Sequence, residues 1–276
     1  MNAPRTIAAM EDRSARRDLA LVAVTVVGLS RLIDPPLLWL VAAALLGAML
    51  LGTLQVLADE ASPGSAHFGV PIESLVLPSV AAVACLGAIR LVPFGLWLVP
   101  ALLVTWLIVG RTLALEARLN RAPTALTDDD RTALLVTVLL VAFLGFTGVA
   151  AMVRDGLVQT SGPLPEADLL VLAAGDAIVA AFLGYRIAAL RVTSVRDALW
   201  QALTYAAAIA IGAAAIRAME IPRLVGPALL TLAFYLWDAF ISTAPARRRD
   251  RRWIGRIGLL VGLGVIVASW NLLLRT

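Results

Sequence analysis

The sequence contains no lysine, since all 23 of its basic residues are arginine. A lysine Schiff base and a lysine general base are therefore excluded. Cys85 is the only cysteine and His67 the only histidine. An internal disulfide, a Cys-x-x-Cys redox motif, a two-histidine zinc site and bis-histidine haem ligation are excluded as well. We expect no cofactor and no metal site.

Charge is also scarce. Only 15% of the 276 residues are charged and 61% are hydrophobic, whereas about 25% of an average soluble domain is charged. This composition excludes a water-soluble fold. The isoelectric point near 10.1 could suggest nucleic acid, but the arginines stand between hydrophobic segments and form no basic face with interleaved aromatic residues. We therefore predict no nucleic-acid partner.

What the chain has in abundance is long apolar segments. Nine of them approach the ~20 residues that a helix needs to cross ~30 Å of hydrocarbon. Their bounds are 19–33, 37–57, 74–89, 91–110, 132–152, 169–185, 199–216, 224–242 and 257–274. The first and third are short, and the fifth is preceded by Thr127 and three aspartates, a pattern typical of a helix cap. The sequence predicts an all-α integral membrane protein of about nine transmembrane helices.

The arginines indicate how these helices are oriented, because positive residues are retained on the cytoplasmic side during insertion. If the N-terminus is cytoplasmic, 17 of the 23 arginines lie in cytoplasmic segments and six lie outside. We predict an odd number of spans, a short cytoplasmic segment over residues 1–18 and a C-terminus outside. Residues 1–276 are expected to form a single polytopic domain.

Two parts of the chain resemble each other. The segments 31–33 and 38–41 (RLI and LWLV) recur as 90–92 and 96–99 (RLV and LWLV). This spacing predicts four helical hairpins in parallel repeat, followed by a ninth, C-terminal helix. The alternative is that helices rich in alanine and leucine resemble each other by composition alone.

Arginine recurs at the predicted outer ends of the odd-numbered helices. Guanidinium binds phosphate and carboxylate through two parallel hydrogen bonds, so convergent arginines could bind an anion or a lipid headgroup. The residues are Arg31, Arg90, Arg154 and Arg217. The alternative is that each arginine reaches lipid phosphate at the end of its own helix.

One acidic residue, Asp176, lies well inside a predicted span. A charge at that depth costs about 2.5 to 3.5 kcal/mol on insertion scales unless it is neutral, paired or facing water. We consider Asp176 with Tyr205 as a ligand or ion site. The alternative is a structural hydrogen bond with Tyr205 or Gln201. Asp238 lies near a predicted cytoplasmic boundary, where an ion pair with the arginines of 247–252 is expected.

Two further clusters lie between spans. The basic run is composed of Arg247, Arg248, Arg249, Arg251 and Arg252. Each arginine gains about 1 kcal/mol near an anionic leaflet, so this run is predicted to contact cytoplasmic lipid or a partner protein. The loop 58–73 contains Asp59, Glu60, His67 and Glu73. These side chains could hold a divalent cation, but their spacing matches no known ligand pattern and solvated loop charges explain them equally well.

No motif in the sequence identifies an activity. We expect a multi-pass protein of a bacterial cytoplasmic membrane, because the lysine-free, alanine- and arginine-rich composition is typical of a GC-rich genome. Its expected partners are the bilayer, anionic lipids and other membrane proteins. The leading hypothesis is a non-enzymatic accessory or scaffold protein. The alternatives are a small transporter or lipid-handling protein using Asp176 and the outer arginines, and an intramembrane enzyme.

Overall fold

The computed structural model describes the backbone of residues 3–59, 70–121, 127–153, 166–218, 225–244, 246, 248 and 250–273. Side chains are described throughout these ranges except at 3–13, 35–36, 166–168, 217–218 and 271–273. Within them the chain forms nine α-helices and no strand. The helices are α1 (Ala3–Leu29), α2 (Pro35–Asp59), α3 (Glu73–Ala88), α4 (Leu98–Arg121), α5 (Asp128–Met152), α6 (Glu166–Ala188), α7 (Val195–Ala218), α8 (Val225–Ser242) and α9 (Arg251–Leu273).

Eight of these helices, α2 to α9, are long and apolar enough to cross a membrane. The predicted class, a multi-pass helical membrane protein, is confirmed at this level. Helix α1 is the exception, since its apolar part begins only at Leu19 and the α-helix ends at Leu29. The count of nine spans, which includes this segment, therefore stays a prediction.

The chain divides into two compact units, residues 1–152 and 153–276, which we call unit 1 and unit 2. Unit 1 contains α1 to α5. Helix α3 is its centre, since it packs against all four other helices of the unit. About 78% of the apolar part of α3 is buried. The prediction of a single domain over residues 1–276 stays a prediction.

Glycine permits the close contact between α3 and α5. A Cβ atom on Gly87 would lie 2.4 Å from the Cα atom of Gly148, and one on Gly148 would lie 2.9 Å from the carbonyl oxygen of Ala84. Both obstacles are backbone atoms, which cannot rotate away. Helices in lipid associate through such close packing of small residues, because lipid tails provide no hydrophobic drive. The glycine pair therefore allows α3 and α5 to approach this closely.

Helices α1 and α3 end alike. Each continues into a short 3-10 helix, Ser30–Leu32 after α1 and Ile89–Leu91 after α3, and each 3-10 helix is followed by an extended residue, Ile33 or Val92. The two ends are related by a constant offset of 59 residues. Gly95, whose φ is +129°, then turns the chain into α4; only glycine adopts this conformation readily.

Unit 2 contains α6 to α9. Helices α6 and α7 pack closely, α8 packs against α7, and α9 contacts α8. None of the apolar part of α9 is buried. Its contact with α8 is on the side of Gly264, where a Cβ atom would lie 3.0 Å from the side chain of Leu232.

The predicted cap of the fifth span is confirmed. The hydroxyl of Thr127 donates to the carboxylate of Asp130 (2.7 Å) and accepts a hydrogen bond from the Asp130 backbone N–H (3.2 Å). The Thr127 N–H donates in turn to the same carboxylate (3.3 Å). This reciprocal arrangement is a capping box, and it fixes the start of α5.

Candidate functional site

Arg31 and Arg90 form reciprocal hydrogen bonds between the ends of α1 and α3. Arg31 donates to the carbonyl oxygens of Arg90 (3.1 Å) and Val92 (2.7 Å). Arg90 donates to those of Ile33 (3.2 Å) and Ser30 (3.4 Å). We call this arrangement the arginine clasp. It places the C-terminal ends of α1 and α3 at the same level.

The chemistry of helix ends explains the clasp. The last carbonyl groups of a helix have no intrahelical donor, and a guanidinium offers five N–H donors in a planar fork. Each arginine thus satisfies carbonyls at the end of the neighbouring helix. Arg31 also lies over the ring of Phe94, 4.7 Å from its centroid, which is a favourable cation–π distance.

The clasp brings together two of the four arginines that the sequence places at the outer ends. Arg154 lies outside the described residues. Arg217 belongs to α7, but its side chain is not described. The predicted anion or headgroup site therefore stays a prediction. Neither of the two sequence-based alternatives included backbone carbonyls as the partners of Arg31 and Arg90.

Unit 2 contains a cluster of three polar side chains from three parts of the chain. Asp238 on α8 accepts hydrogen bonds at the same oxygen from Arg191 (2.8 Å) and from the hydroxyl of Tyr205 on α7 (2.6 Å). Arg191 lies 3.4 Å from that hydroxyl. We call this group the Asp238 cluster. It links the segment after α6 to α7 and α8.

The cluster is buried on one side only. Tyr205 is fully buried and the Asp238 side chain is 5% exposed, whereas that of Arg191 is 31% exposed. The Tyr205 ring packs on Phe234, with centroids 5.0 Å apart, and on the backbone of α6 at Gly184, where a Cβ atom would lie 2.7 Å from the ring. Gly184 thus makes room for the tyrosine that binds Asp238.

Asp238 forms an ion pair, and its partner in the described part of the chain is Arg191. The expected partners were the arginines of 247–252, of which Arg247 and Arg249 lie outside the described residues. From the sequence, Arg191 was only one of the arginines counted as cytoplasmic. The ion-pair partner of a carboxylate is selected by the packing of the helices. The number of residues between the carboxylate and an arginine does not reveal that packing.

Asp176 and the Tyr205 ring lie at different levels along the axis of α6. Asp176 is fully buried within α6. Tyr205 contacts the same helix at Gly184, eight residues further along, which corresponds to about 12 Å along the axis. The hydroxyl of Tyr205 is directed to Asp238. The proposed ligand or ion site at Asp176 and Tyr205 stays a prediction.

Three members of the basic run are described. Arg248 donates to the carbonyl oxygen of Thr243 (2.9 Å) and lies 4.1 Å from the centroid of the Phe240 ring. Arg251 and Arg252 are exposed. Arg247 and Arg249 lie outside the described residues. The predicted contact with lipid or a partner protein is thus untested, although Arg248 has a local structural role.

One buried carboxylate escaped the sequence analysis. Glu116 is fully buried in α4, beside the apolar residues Leu113, Leu115 and Ala117. The sequence could have indicated this residue, because Glu116 lies in the part of α4 that continues past the predicted span 91–110.

Among the described residues no three histidine, cysteine, aspartate or glutamate side chains are grouped closely enough to bind a metal ion. Glu60 and His67 lie outside the described residues.

Comparisons with known proteins place this chain in no family. No protein-family model matches it, and no match was found among curated proteins or solved structures. The functional argument therefore depends on the geometry of the chain itself.

Proposed function

We propose that the chain is a non-enzymatic accessory or scaffold protein of a bacterial cytoplasmic membrane, and that α9 binds a transmembrane helix of another membrane protein. The bilayer and its anionic lipids are its other partners. The observation that carries the proposal is the exposure of α9, none of whose apolar part is buried. All other candidate spans bury at least a fifth of theirs.

The exposed face of α9 has the composition of a helix-packing surface. Gly255, Gly258 and Gly262 follow one another at spacings of three and four residues, which places them on one face of a helix. A Cβ atom at any of the three would meet no atom within 4 Å. Small residues at this spacing allow two helices to approach closely in lipid. We call this face the α9 glycine face.

The opposite face of α9 contacts α8 and Thr243. Gly264 faces Leu232 and Leu229 of α8, and Arg256 donates to the hydroxyl of Tyr235 (3.2 Å). The Trp253 indole N–H donates to the hydroxyl of Thr243 (3.1 Å). Helix α9 is thereby attached along one side, and the α9 glycine face is available to a partner.

Charge favours a different protein over a second copy of this chain. The exposed residues Arg251 and Arg252 lie at the start of α9, close to Arg256. In a parallel pair of α9 helices these arginines would stand at the same level and repel each other. A partner helix with acidic residues at its cytoplasmic end would be attracted.

We also propose that the chain has nine spans, with the N-terminus cytoplasmic and the C-terminus outside, and that α1–α2 and α3–α4 are parallel repeats. The arginine clasp supports the repeat, because Arg31 donates to the carbonyl oxygen of Val92 and Arg90 donates to that of Ile33, and these two acceptors occupy equivalent positions after the two 3-10 helices. Contacts of α1 with α4 and of α2 with α3 are also related by exchange of the two hairpins. A rotation about the membrane normal relates repeats of this kind.

Isolation of the full chain in polymer-bounded lipid discs tests the proposed function. Mass spectrometry of the discs should identify one membrane protein at a stoichiometric level. The double variant Gly258→Ile and Gly262→Ile should reduce its recovery at least tenfold, because the added side chains prevent close approach. The matched control, Val261→Ile with Leu263→Ile, should retain it. Isolation without a stoichiometric partner, or equal recovery with both double variants, would refute the scaffold function.

A second candidate function is a small transporter or lipid-handling protein. The observation in its favour is the full burial of the Asp176 carboxyl within a candidate span, since ionisable residues at such depth mark ion and proton pathways. Asp176→Asn keeps the shape and removes the charge. This candidate would be favoured if reconstituted vesicles show proton or ion flux and if Asp176→Asn abolishes that flux at unchanged expression.

The remaining alternative, an intramembrane enzyme, would require substrate turnover that depends on Asp176.

A further inference from the structure

Unit 1 has an open groove of about 610 Å³ between α3, α4 and α5. This volume lies within the range of small-molecule sites, about 300 to 1,000 Å³. Helix α4 provides most of one wall and α3 the other, and Leu144 of α5 completes the lining. All three helices are candidate spans, so the groove lies in the hydrocarbon layer.

One face of α4 forms the long wall. The lining residues are Trp97, Pro100, Ala101, Val104, Thr105 and Ile108, which recur every three or four positions as one side of a helix does. From Trp97 to Ile108 the wall is about 16 Å long at 1.5 Å per residue. One leaflet is half of ~30 Å of hydrocarbon, or about 15 Å. The groove is therefore as long as one extended lipid chain.

The lining of the groove is mostly apolar and therefore favours an apolar ligand. Its only side chains with a polar group besides the Trp97 indole are Cys85 and Thr105. The Thr105 hydroxyl donates to the carbonyl oxygen of Ala101 (3.0 Å), as hydroxyls within helices commonly do. A polar or charged ligand would lose its hydration there without compensating hydrogen bonds.

One end of the groove, which we call its mouth, lies at the end of the spans. This end is lined by Leu91, the last residue of the candidate span Glu73–Leu91, by Val92, and by Trp97 just before α4. The Trp97 side chain is 71% exposed, and tryptophan is enriched at the level of lipid headgroups. A chain lying in the groove would thus have its headgroup at the Trp97 end and its methyl end near Ile108.

We propose that this groove binds one acyl chain of a membrane phospholipid. The length of the wall, its apolar lining and the position of its mouth all fit a single chain of one leaflet. The site is independent of the α9 glycine face, since it lies in unit 1 and needs no partner protein. An acyl chain that moves from bulk lipid into the groove only exchanges one apolar environment for another, so the preference for the groove has to come from the fit of the chain to its walls.

Depth-resolved photo-crosslinking tests the proposal. The full chain is reconstituted in lipid discs with trace phosphatidylglycerol carrying a diazirine either near the glycerol or at the chain terminus. After illumination, labelled positions are mapped by mass spectrometry. The first probe should label Leu91 to Trp97, and the second should label Ile108 and Leu144, each at least fivefold above the mean of exposed spans. Uniform labelling of lipid-facing residues, or a protein or non-lipid occupant, would overturn the proposal.

A variant that fills the groove provides the second test. Ala101→Trp should reduce labelling of Ile108 and Leu144 by the terminal probe at least fivefold. Leu103→Trp is the matched control, because Leu103 is on α4 but is 56% exposed and does not line the groove. If Ala101→Trp does not accumulate, Val104→Phe replaces it. Equal labelling in the filled and control variants would also overturn the proposal.

Discussion

Units 1 and 2 differ in how their helices are held. In unit 1, α3 is surrounded by other helices, and 78% of its apolar part is buried, as is 61% of that of α5. In unit 2, 39% of the apolar part of α6 is buried and none of that of α9. The polar contacts differ too, since the arginine clasp joins side chains to backbone carbonyls and the Asp238 cluster joins side chains to each other.

This difference indicates that the two units have different structural roles. Backbone carbonyls cannot move away without disturbing a helix end, so the clasp fixes α1 and α3 in one arrangement. The Asp238 cluster holds α7 and α8 together but leaves α9 outside its reach. Unit 1 thus has a buried central helix, whereas unit 2 has a helix, α9, that contacts the rest of the unit along one side only.

The largest effect is expected at the contact of α3 with α5. Gly87→Ala places a methyl group against the backbone of Gly148, where a Cβ atom would lie 2.4 Å away. Overpacking of this kind costs about 3 kcal/mol or more. We expect a strongly lowered unfolding midpoint in detergent or loss of accumulation. Gly47→Ala on α2 is the control, since its Cβ meets nothing within 4 Å. Equal midpoints for the two variants would contradict the central role of α3.

The Asp238 cluster should give the next effect. Asp238→Asn removes the charge that binds Arg191, and loss of one partner of a buried ion pair costs about 3 to 5 kcal/mol. Because Arg191 is 31% exposed and can be hydrated, we expect the unfolding free energy to fall by about 2 kcal/mol. Chemical unfolding in detergent would measure it. Asp197→Asn on the exposed side of α7 should change the unfolding free energy by less than about 0.5 kcal/mol.

Both arginines of the clasp should contribute to stability. Arg31→Gln and Arg90→Gln each remove bonds to two carbonyl groups. Each should cost about 1 to 2 kcal/mol of unfolding free energy, and Arg31→Gln should cost more than Arg90→Gln, because Arg31 also lies over the Phe94 ring. Arg31→Lys should fail to restore stability, because an ammonium lacks the planar fork. Arg111→Gln, at an exposed position of α4, is the control. A large effect of only one arginine would contradict reciprocal bonding.

The smallest effect on stability is expected at the α9 glycine face. Gly258→Ile with Gly262→Ile should not lower the unfolding midpoint of the isolated protein, because a Cβ atom at either position meets no atom within 4 Å and isoleucine has a higher helix propensity than glycine. Gly264→Ile should lower it, since the Leu232 side chain is already 3.0 Å from a Cβ atom there. Differential scanning fluorimetry of the three proteins in one detergent would make the comparison. A loss of stability in the double variant would place that face inside the fold.

The sequence predicted the elements better than their contacts. Apolar length indicated α2 to α9, and the pattern at Thr127 indicated the capping box at Asp130. The repeated segments with Arg31 and Arg90 singled out the two arginines that later meet. Their acceptors could not be predicted, because carbonyl groups are present at every residue and only packing selects those at the ends of α1 and α3.

The same reason applies to the candidate sites in unit 2. Tyr205 was selected as a partner for Asp176, yet its hydroxyl bonds Asp238, because Gly184 admits the ring further along α6. Arg191 was counted only as a cytoplasmic arginine, and Glu116 lies in the part of α4 that continues past the predicted span 91–110. Burial of such residues depends on which helix faces meet. In lipid those faces are chosen by packing of small residues, and hydrophobicity alone does not reveal them.

Photo-crosslinking from α9 in intact membranes tests the proposed function most directly. A photoreactive amino acid is placed at position 258 on the α9 glycine face, or at position 264 on the face that packs against α8. The account predicts a discrete protein adduct of defined mass from position 258 and only crosslinks within the chain from position 264. Lipid adducts alone from position 258, with no protein adduct, would contradict the account.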